Sequence, residues 1–308
     1  MSEFEGKVVV VTGAGGGLGK SHAMEFARRG AKVVVNDLGG SGDGRGSSDM
    51  ADVIVEEIRA QGGIAIANKA SVSDKAGAKS IIEDAVAEFG TVDILINNAG
   101  ILRDRMMFSM TEGDWDAVIN VHLKGTFAPS HHAASYWREK VKAGGEAFGR
   151  IVNTASPSGI YGNVGQSNYG AAKAGIAAFT IITAMELTKY GVTVNCLAPG
   201  AYTRMTKDLP GFAGMDEETR EKMGPRWIAV TTAWLCSDAA QNVTGRIFDI
   251  VGQRVGIAEQ WHLGPTAMQT DDPADMTDVI AGLMAEAQLN SNMGGLPTEG
   301  PGRPSHSI

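Results

Sequence analysis

Short runs of β-branched and aliphatic residues alternate along this chain with longer stretches whose apolar positions recur every three or four residues. The short runs are VVVVT (8–12), VVVN (33–36), IAIAN (64–68), DILIN (93–97), RIVNT (150–154), TVNCL (193–197) and RIFDI (246–250). Between them, sets such as Val53, Ile54, Ile58 and Ile81, Ile82, Val86, Phe89 share one helix face and end near Gly62 and Gly90. Apolar strands that each lead into a helix predict a doubly wound α/β domain, with a seven-stranded parallel sheet and helices on both faces. Nothing repeats at a fixed short period, which excludes a solenoid.

Three segments break this rhythm. GGSGDGRGS (39–47) and AGGEAFG (143–149) predict surface loops. The third follows Gly252. One α/β domain is therefore expected over residues 1–252 and a C-terminal extension over 253–290. In the extension Asp272 caps a helix, Pro273 takes its first position, and Met276, Val279, Ile280, Leu283 and Met284 share a face. Gly, Pro and Ser dominate 291–308, which predicts a disordered tail.

Composition then limits the partners. Hydrophobic residues are 43% and charged residues 20%, and the apolar strings are short and interrupted, so a soluble chain is expected rather than a membrane span. A formal charge of −8 argues against nucleic acid or an anionic membrane surface, which need a clustered positive field. MSEFEG runs straight into the first strand without an export signal. Cys196 and Cys236 lack CxxC spacing and histidine companions, so the expectation is a cytoplasmic protein with no disulfide and no metal site.

The candidate chemistry sits where these strands end. The first strand leads into Thr12-Gly13-Ala14-Gly15-Gly16-Gly17-Leu18-Gly19, a glycine turn opening a helix whose free N–H groups and positive dipole end suit a pyrophosphate. Asp37, closing the second strand, either accepts hydrogen bonds from the adenosine ribose and repels a 2′-phosphate, favouring NAD over NADP, or simply starts the next turn. Lys20 and Arg45 are the cations that would favour the 2′-phosphate. Asn98-Ala99-Gly100 follows the fourth strand, with small residues that suit a backbone beside a cofactor. Ser156 ends the fifth strand, and Tyr169 and Lys173 follow at i, i+4 on one helix face. A phenol of pKa about 10 is a poor base at neutral pH. An ammonium at about 4 Å and an effective dielectric near 20 contributes roughly 4 kcal/mol before desolvation, enough to lower that pKa by up to about 3 units. Tyr169 is then the proton acceptor, Ser156 holds the substrate oxygen with Ser158 as its competitor, and Lys173 also reaches the nicotinamide ribose.

Together TGAGGGLG, Asp37, NNAG, Ser156, Tyr169-x-x-x-Lys173 and Pro199-Gly200 resemble the short-chain dehydrogenase/reductase family over residues 5 to about 252. The strings VVVNDLGG, NNAGILRDRMMF, VHLKGTF, SGIYGNVGQSNYGAAKAG and RMT are similar to its hydroxyacyl-CoA dehydrogenase branch, which includes domains of peroxisomal multifunctional enzymes and single-domain bacterial proteins. The resemblance implies a Rossmann-type fold. It implies that Ser71 and Val72 lie beside the adenine, that Thr203 touches the nicotinamide carboxamide, and that a homodimer or homotetramer forms through the helix YGAAKAGIAAFTIITAMEL (169–187), itself apolar on nearly all sides. Where the wider family has an Asn in its catalytic tetrad, this chain has His122, which is either a proton-relay member or a packed core histidine. Ser71 stands where the wider family often has Asp. His131-His132 lacks acidic companions and reads as structural.

The expected function is an NAD-dependent 3-hydroxyacyl-CoA dehydrogenase of fatty-acyl or steroid side-chain catabolism. Arg103, Arg105, Arg204 and Lys207, on loops at strand ends, are candidates for CoA phosphates. A 17β-hydroxysteroid or other free-alcohol dehydrogenase and a non-catalytic dinucleotide-binding regulator are the alternatives. The presence of both Tyr169 and Lys173 counts against the last.

Overall fold

A computed structural model describes residues 3–203, 206–207, 212–259, 261–271, 273–288 and 290–296. The elements in chain order are β1 (Val8–Thr12), α1 (Gly17–Arg28), β2 (Lys32–Asn36), α2 (Met50–Ala60), β3 (Ile64–Asn68), α3 (Lys75–Phe89), β4 (Ile94–Asn97) and α4 (Glu112–Ile119). They continue with α5 (Gly125–Lys142), β5 (Gly149–Thr154), α6 (Pro157–Ile160), α7 (Ser167–Leu187), β6 (Val192–Gly200), α8 (Glu217–Lys222), α9 (Arg226–Cys236), β7 (Ile247–Val251), β8 (Arg254–Ala258) and α10 (Met276–Glu286). The sheet order is β3-β2-β1-β4-β5-β6-β7-β8. Chain order reverses between β1 and β4, and it is outside the carboxyl ends of strands at such a reversal that ligands of these sheets bind.

The first seven strands are parallel and match the seven predicted runs to within a few residues. All five β1 residues are buried, because helices cover both faces and leave no solvent side for polar alternation. Phe26, Ile54 and Ile228 pack one face, while Ile81, Ala133, Trp137 and Ala184 pack the other. The expected seven-stranded sheet is one strand short. β8 pairs antiparallel with β7 through the two-residue turn Gly252-Gln253, and the φ of +53° at Gly252 is the left-handed geometry that such a hairpin asks of a glycine. The sheet thus takes in residues 254–258, expected to belong to the extension.

α10 forms where the extension was expected to be helical, but its N-cap is Asp275; Asp272 lies outside the described residues. The described part of the tail expected to be disordered, 291–296, folds into a turn closed by Asn292 N–H to Leu296 O, with Asn290 just before it. It is tied to the body where Asn290 Nδ2 donates to Ile160 O at 3.1 Å and Arg254 Nη2 to Gly294 O at 3.4 Å. Residues 297–308 lie outside the described residues. The loop 39–47 is pinned rather than free, since Gly42 O accepts from Leu102 N–H and Asp43 O from Arg103 Nε. Among the described residues one helical stretch, Ser167–Tyr190, is long and apolar enough to cross a membrane. In this structure Ala172, Ile176 and Ala184 are buried along it.

Candidate active site

The glycine turn is held open by close packing. A Cβ on Gly19 would collide with the Gly13 carbonyl, and one on Gly13, where φ is +64°, would come within 2.7 Å of Ala99 Cα. Thr12 Oγ1 accepts the N–H groups of Asn98 at 3.0 Å and Ala99 at 3.2 Å, while the Asn98 amide donates to Thr12 O and Gly13 O. The first turn and the NNAG turn are thereby locked into one backbone-lined floor. α1 starts without a side-chain cap or an acidic residue in its first turn, which leaves its amide donors and dipole end facing any anion there. These features fit a dinucleotide pyrophosphate.

The other residues expected at the cofactor lie around that floor as follows. Asp37 accepts Gly15 N–H and Gly39 N–H, each at 2.7 Å, so its carboxylate also shapes the glycine turn. Thr203 stands over Gly17, at 3.9 Å from the position a Cβ there would take. Pro199 and Gly200 close β6. Ser71 Oγ lies 3.1 Å from Ser73 Oγ in the turn after β3, and Val72 beside it is buried against Gly125.

Ser156 leaves β5 at its carboxyl end and N-caps α6, accepting Ser158 N–H at 3.1 Å. Tyr169 and Lys173 face it from α7, with Lys173 Nζ 5.5 Å from the Tyr169 ring centroid. The lysine is buried and donates to Thr154 O at 2.6 Å. Burial draws its pKa down to about 8, a shift that nearby Cys196 partly opposes. The phenol does not show the depression expected from the sequence. Burial pushes Tyr169 up to about 12, Ser156 counteracts this by hydrogen bonding to the hydroxyl, and the charge of Asp104 adds to the rise. Desolvation outweighs the ammonium because the cation points past the ring to a backbone carbonyl.

His122 is set by an irregularity in the helix. Residues Asn120–Lys124 form a π turn between α4 and α5, and the extra residue of such a turn changes which side chains face inward. The His122 ring packs on Gly100 so tightly that a Cβ there would overlap it, and it meets Tyr169 edge-on at 5.1 Å. Nε2 lies 2.7 Å from Ile101 O and 3.0 Å from Ile101 N, while Nδ1 is buried without a partner. Burial first, and then the Lys173 charge, lower its pKa to about 3, so the ring is neutral at physiological pH.

Ser158 does not rival Ser156 as a donor to substrate, because its hydroxyl is given to Gln166 Oε1 at 2.7 Å. Arg103 is engaged with the carbonyls of Asp43 and Gly113, and Arg105 and Lys207 are surface residues; Arg204 lies outside the described residues. His131 and His132 stack edge to face at 5.0 Å, and no metal-binding cluster occurs among the described residues. Beside the site Met106, Met107 and Phe108 form an apolar strip, the last two exposed by 81% and 87%. The sequence reading missed Thr12, Asp104 and Gln166. The Thr before the first glycine and the Gln three residues before Tyr169 were readable as polar residues beside a motif, but their partners lie far along the chain.

A profile of the family described as short chain dehydrogenase matches residues 7–211. The hydroxyacyl-CoA dehydrogenase ChsB1 of Mycobacterium tuberculosis is 42% identical over 300 residues, covering 94% of this chain and 93% of that protein. Peroxisomal multifunctional enzyme A of Dictyostelium discoideum is 47% identical over 248 residues, 80% of this chain and 53% of the longer relative. A crystal structure of a short chain dehydrogenase from Mycobacterium avium superposes with a TM-score of 0.84 at 44% identity, over 94% of this chain and 98% of the other.

Proposed function

From the premise that this chain belongs to the short-chain dehydrogenase family, we propose that it interconverts a secondary alcohol and a ketone with NAD, and that its substrates are 3-hydroxyacyl-CoA thioesters of fatty-acyl or steroid side-chain catabolism. The observation that carries this reading is the convergence of Ser156, Tyr169 and Lys173 beside a glycine floor at the sheet's reversal point. When bound, the nicotinamide dinucleotide supplies the hydride acceptor for alcohol oxidation. Gly13, Gly17, Leu18 and Gly19 hold its pyrophosphate and Asp37 its adenosine ribose. Ser71 and Val72 border the adenine, Asn98, Ala99 and Gly100 run alongside, and Pro199, Gly200 and Thr203 border the nicotinamide. Ser156, whose proton is not committed to Ser158, donates to the substrate oxygen. Tyr169 takes the alcohol proton, helped by the Ser156 hydrogen bond that favours the phenolate, and Lys173 holds the nicotinamide ribose. His122 keeps the Ile101 backbone in place and joins the proton relay through Nδ1.

The thioester assignment is supported by the 42% identity to a hydroxyacyl-CoA dehydrogenase and by the Met106-Met107-Phe108 strip, which suits an acyl chain. Remote binding energy from the CoA handle then helps to orient the carbinol. Steady-state kcat/KM with NAD, measured for hydroxyacyl-CoAs, the matching free hydroxy acids and free hydroxysteroids, tests it. The thioesters are expected to be preferred, and equal use of free sterols would overturn the assignment in favour of an alcohol dehydrogenase.

The protein acts as a homodimer or homotetramer. Phe127 on α5 and Ile182 and Met185 on α7 are half or more exposed, and Phe127 packs edge-on to Phe179, so one apolar face spans both helices. The buried free cysteines suit a reducing compartment, in keeping with a cytoplasmic location.

A further inference from the structure

A chain of hydrogen bonds ties the loop after β4 to the serine pair. Gln166 Nε2 donates to Asp104 Oδ2 at 2.8 Å, and Gln166 Oε1 accepts from Ser158 Oγ at 2.7 Å and from Asn163 Nδ2 at 2.9 Å. Ser158 N–H in turn donates to Ser156 Oγ. Gln166 and Ser158 are buried, and the backbones of both partner segments are joined where Arg105 N–H meets Gly165 O at 2.9 Å. An amide presents either its oxygen or its NH2 to a neighbour; the Asn163 amide can turn over with it, whereas a fixed anion on the far side cannot change from acceptor to donor and so decides which. Asp104 is that anion. Its carboxylate accepts the NH2 and so turns the amide oxygen toward Ser158.

We infer that Asp104 is a positioning residue for catalysis: by fixing the Gln166 amide it commits the Ser158 proton to Gln166 and leaves Ser156 as the sole serine donor to the substrate oxygen. Without Asp104 the amide is free to turn its NH2 toward Ser158, whose hydroxyl then donates elsewhere. On this reading the freed hydroxyl competes for the substrate oxygen and draws it away from Ser156 and Tyr169. Such a pose binds as well but reacts poorly. This inference rests on the alcohol-ketone reading of the site and not on the thioester assignment.

The test uses the full-length protein and whichever alcohol it oxidises fastest, so failure of the thioester assignment leaves it intact. Asp104→Leu is expected to lower kcat about tenfold or more with KM changed less than about threefold, the signature of lost transition-state alignment rather than lost binding. Asp104→Asn, whose Oδ1 still accepts from Gln166, is expected to recover kcat to within about threefold of wild type. Adding Ser158→Ala to Asp104→Leu should raise kcat again, because the misdirected proton is gone; a merely structural role of Asp104 gives no such gain. If Asp104→Leu does not fold, Gln166→Leu with and without Ser158→Ala reads the same coupling. Wild-type kcat in Asp104→Leu, or no recovery on removing the Ser158 hydroxyl in either background, overturns the inference.

Discussion

Replacing Lys173 by methionine takes a cation out of a site where the side chain is only 3% exposed and keeps most of its volume. In the folded protein the lysine pKa is lowered from 10.5 to about 8 by burial. That difference amounts to about 3 kcal/mol of destabilisation at pH 7. The unfolded chain binds the proton more tightly, so the penalty is present in full below the folded pKa and fades as pH rises from about 8 to 10.5; at pH 10 about 1 kcal/mol remains. Methionine removes the penalty but also the bond to Thr154 O, which gives back about 1 kcal/mol. Lys173→Met is therefore expected to be more stable than wild type by about 2 kcal/mol at pH 7, or roughly 3 °C in melting temperature, and nearly equal at pH 10. Turnover should be lost at both. Urea or thermal unfolding of the two proteins at the two pH values measures it. A variant less stable at pH 7, or a difference that does not change with pH, refutes the view that this lysine is held against its own desolvation for function.

Tyr169→Phe should abolish turnover while leaving NAD affinity, read by cofactor fluorescence, within about threefold, because it removes the proton acceptor but not the cradle. Gly19→Ala should weaken NAD binding by at least about tenfold, since the new methyl meets the Gly13 carbonyl; calorimetry that finds unchanged affinity would remove the glycine turn from the cofactor site. Acid should destabilise the fold through two histidines buried neutral, His22 at about 4 and His122 at about 3. Both folded pKa values lie below the usual 6.5, so stability is full above that pH and falls as acid protonates the unfolded chain, by about 2 kcal/mol per histidine at pH 5. His22→Leu should flatten about half of that slope in urea titrations, and an unchanged slope would show that His22 charges freely in the fold.

The seven parallel strands were legible because burial on both faces turns each into a continuous apolar run, and the order of the motifs along the chain placed each one at a strand end. β8 was not, although the Gly252-Gln253 hairpin was a readable signal. Its residues alternate weakly, and Arg254, Val255 and Ile257 are exposed at the sheet edge, so no buried face imprints a period on them. Ser156, Tyr169 and Lys173 could be named as candidates from spacing together with the family resemblance; the electrostatics could not. Spacing places a lysine one turn from a tyrosine but says nothing of the Thr154 carbonyl that draws Nζ aside or of the protein packed around the ring. His122 shows the same gap, since the π turn that carries it is a departure from the 3.6 period that helical reading assumes.

Asp37 joins the two kinds of information. The sequence offered ribose recognition or turn formation as alternatives, yet the carboxylate bonds Gly15 N–H with one oxygen and Gly39 N–H with the other, so it shapes both the phosphate turn and the loop that follows β2. Each carboxylate oxygen has a second lone-pair direction, which keeps ribose hydroxyls within its capacity. The two cations that would otherwise answer a 2′-phosphate are already engaged: Lys20 lies 2.6 Å from Glu57 and Arg45 lies 3.5 Å from Asp43. Under the proposed NAD reading, a 2′-phosphate would face one fixed carboxylate and two cations that must first leave theirs. Because the same carboxylate also holds the glycine turn, the proposed selectivity against NADP and the shape of that turn would be coupled through a single side chain, and substituting Asp37 is expected to change affinity and selectivity together.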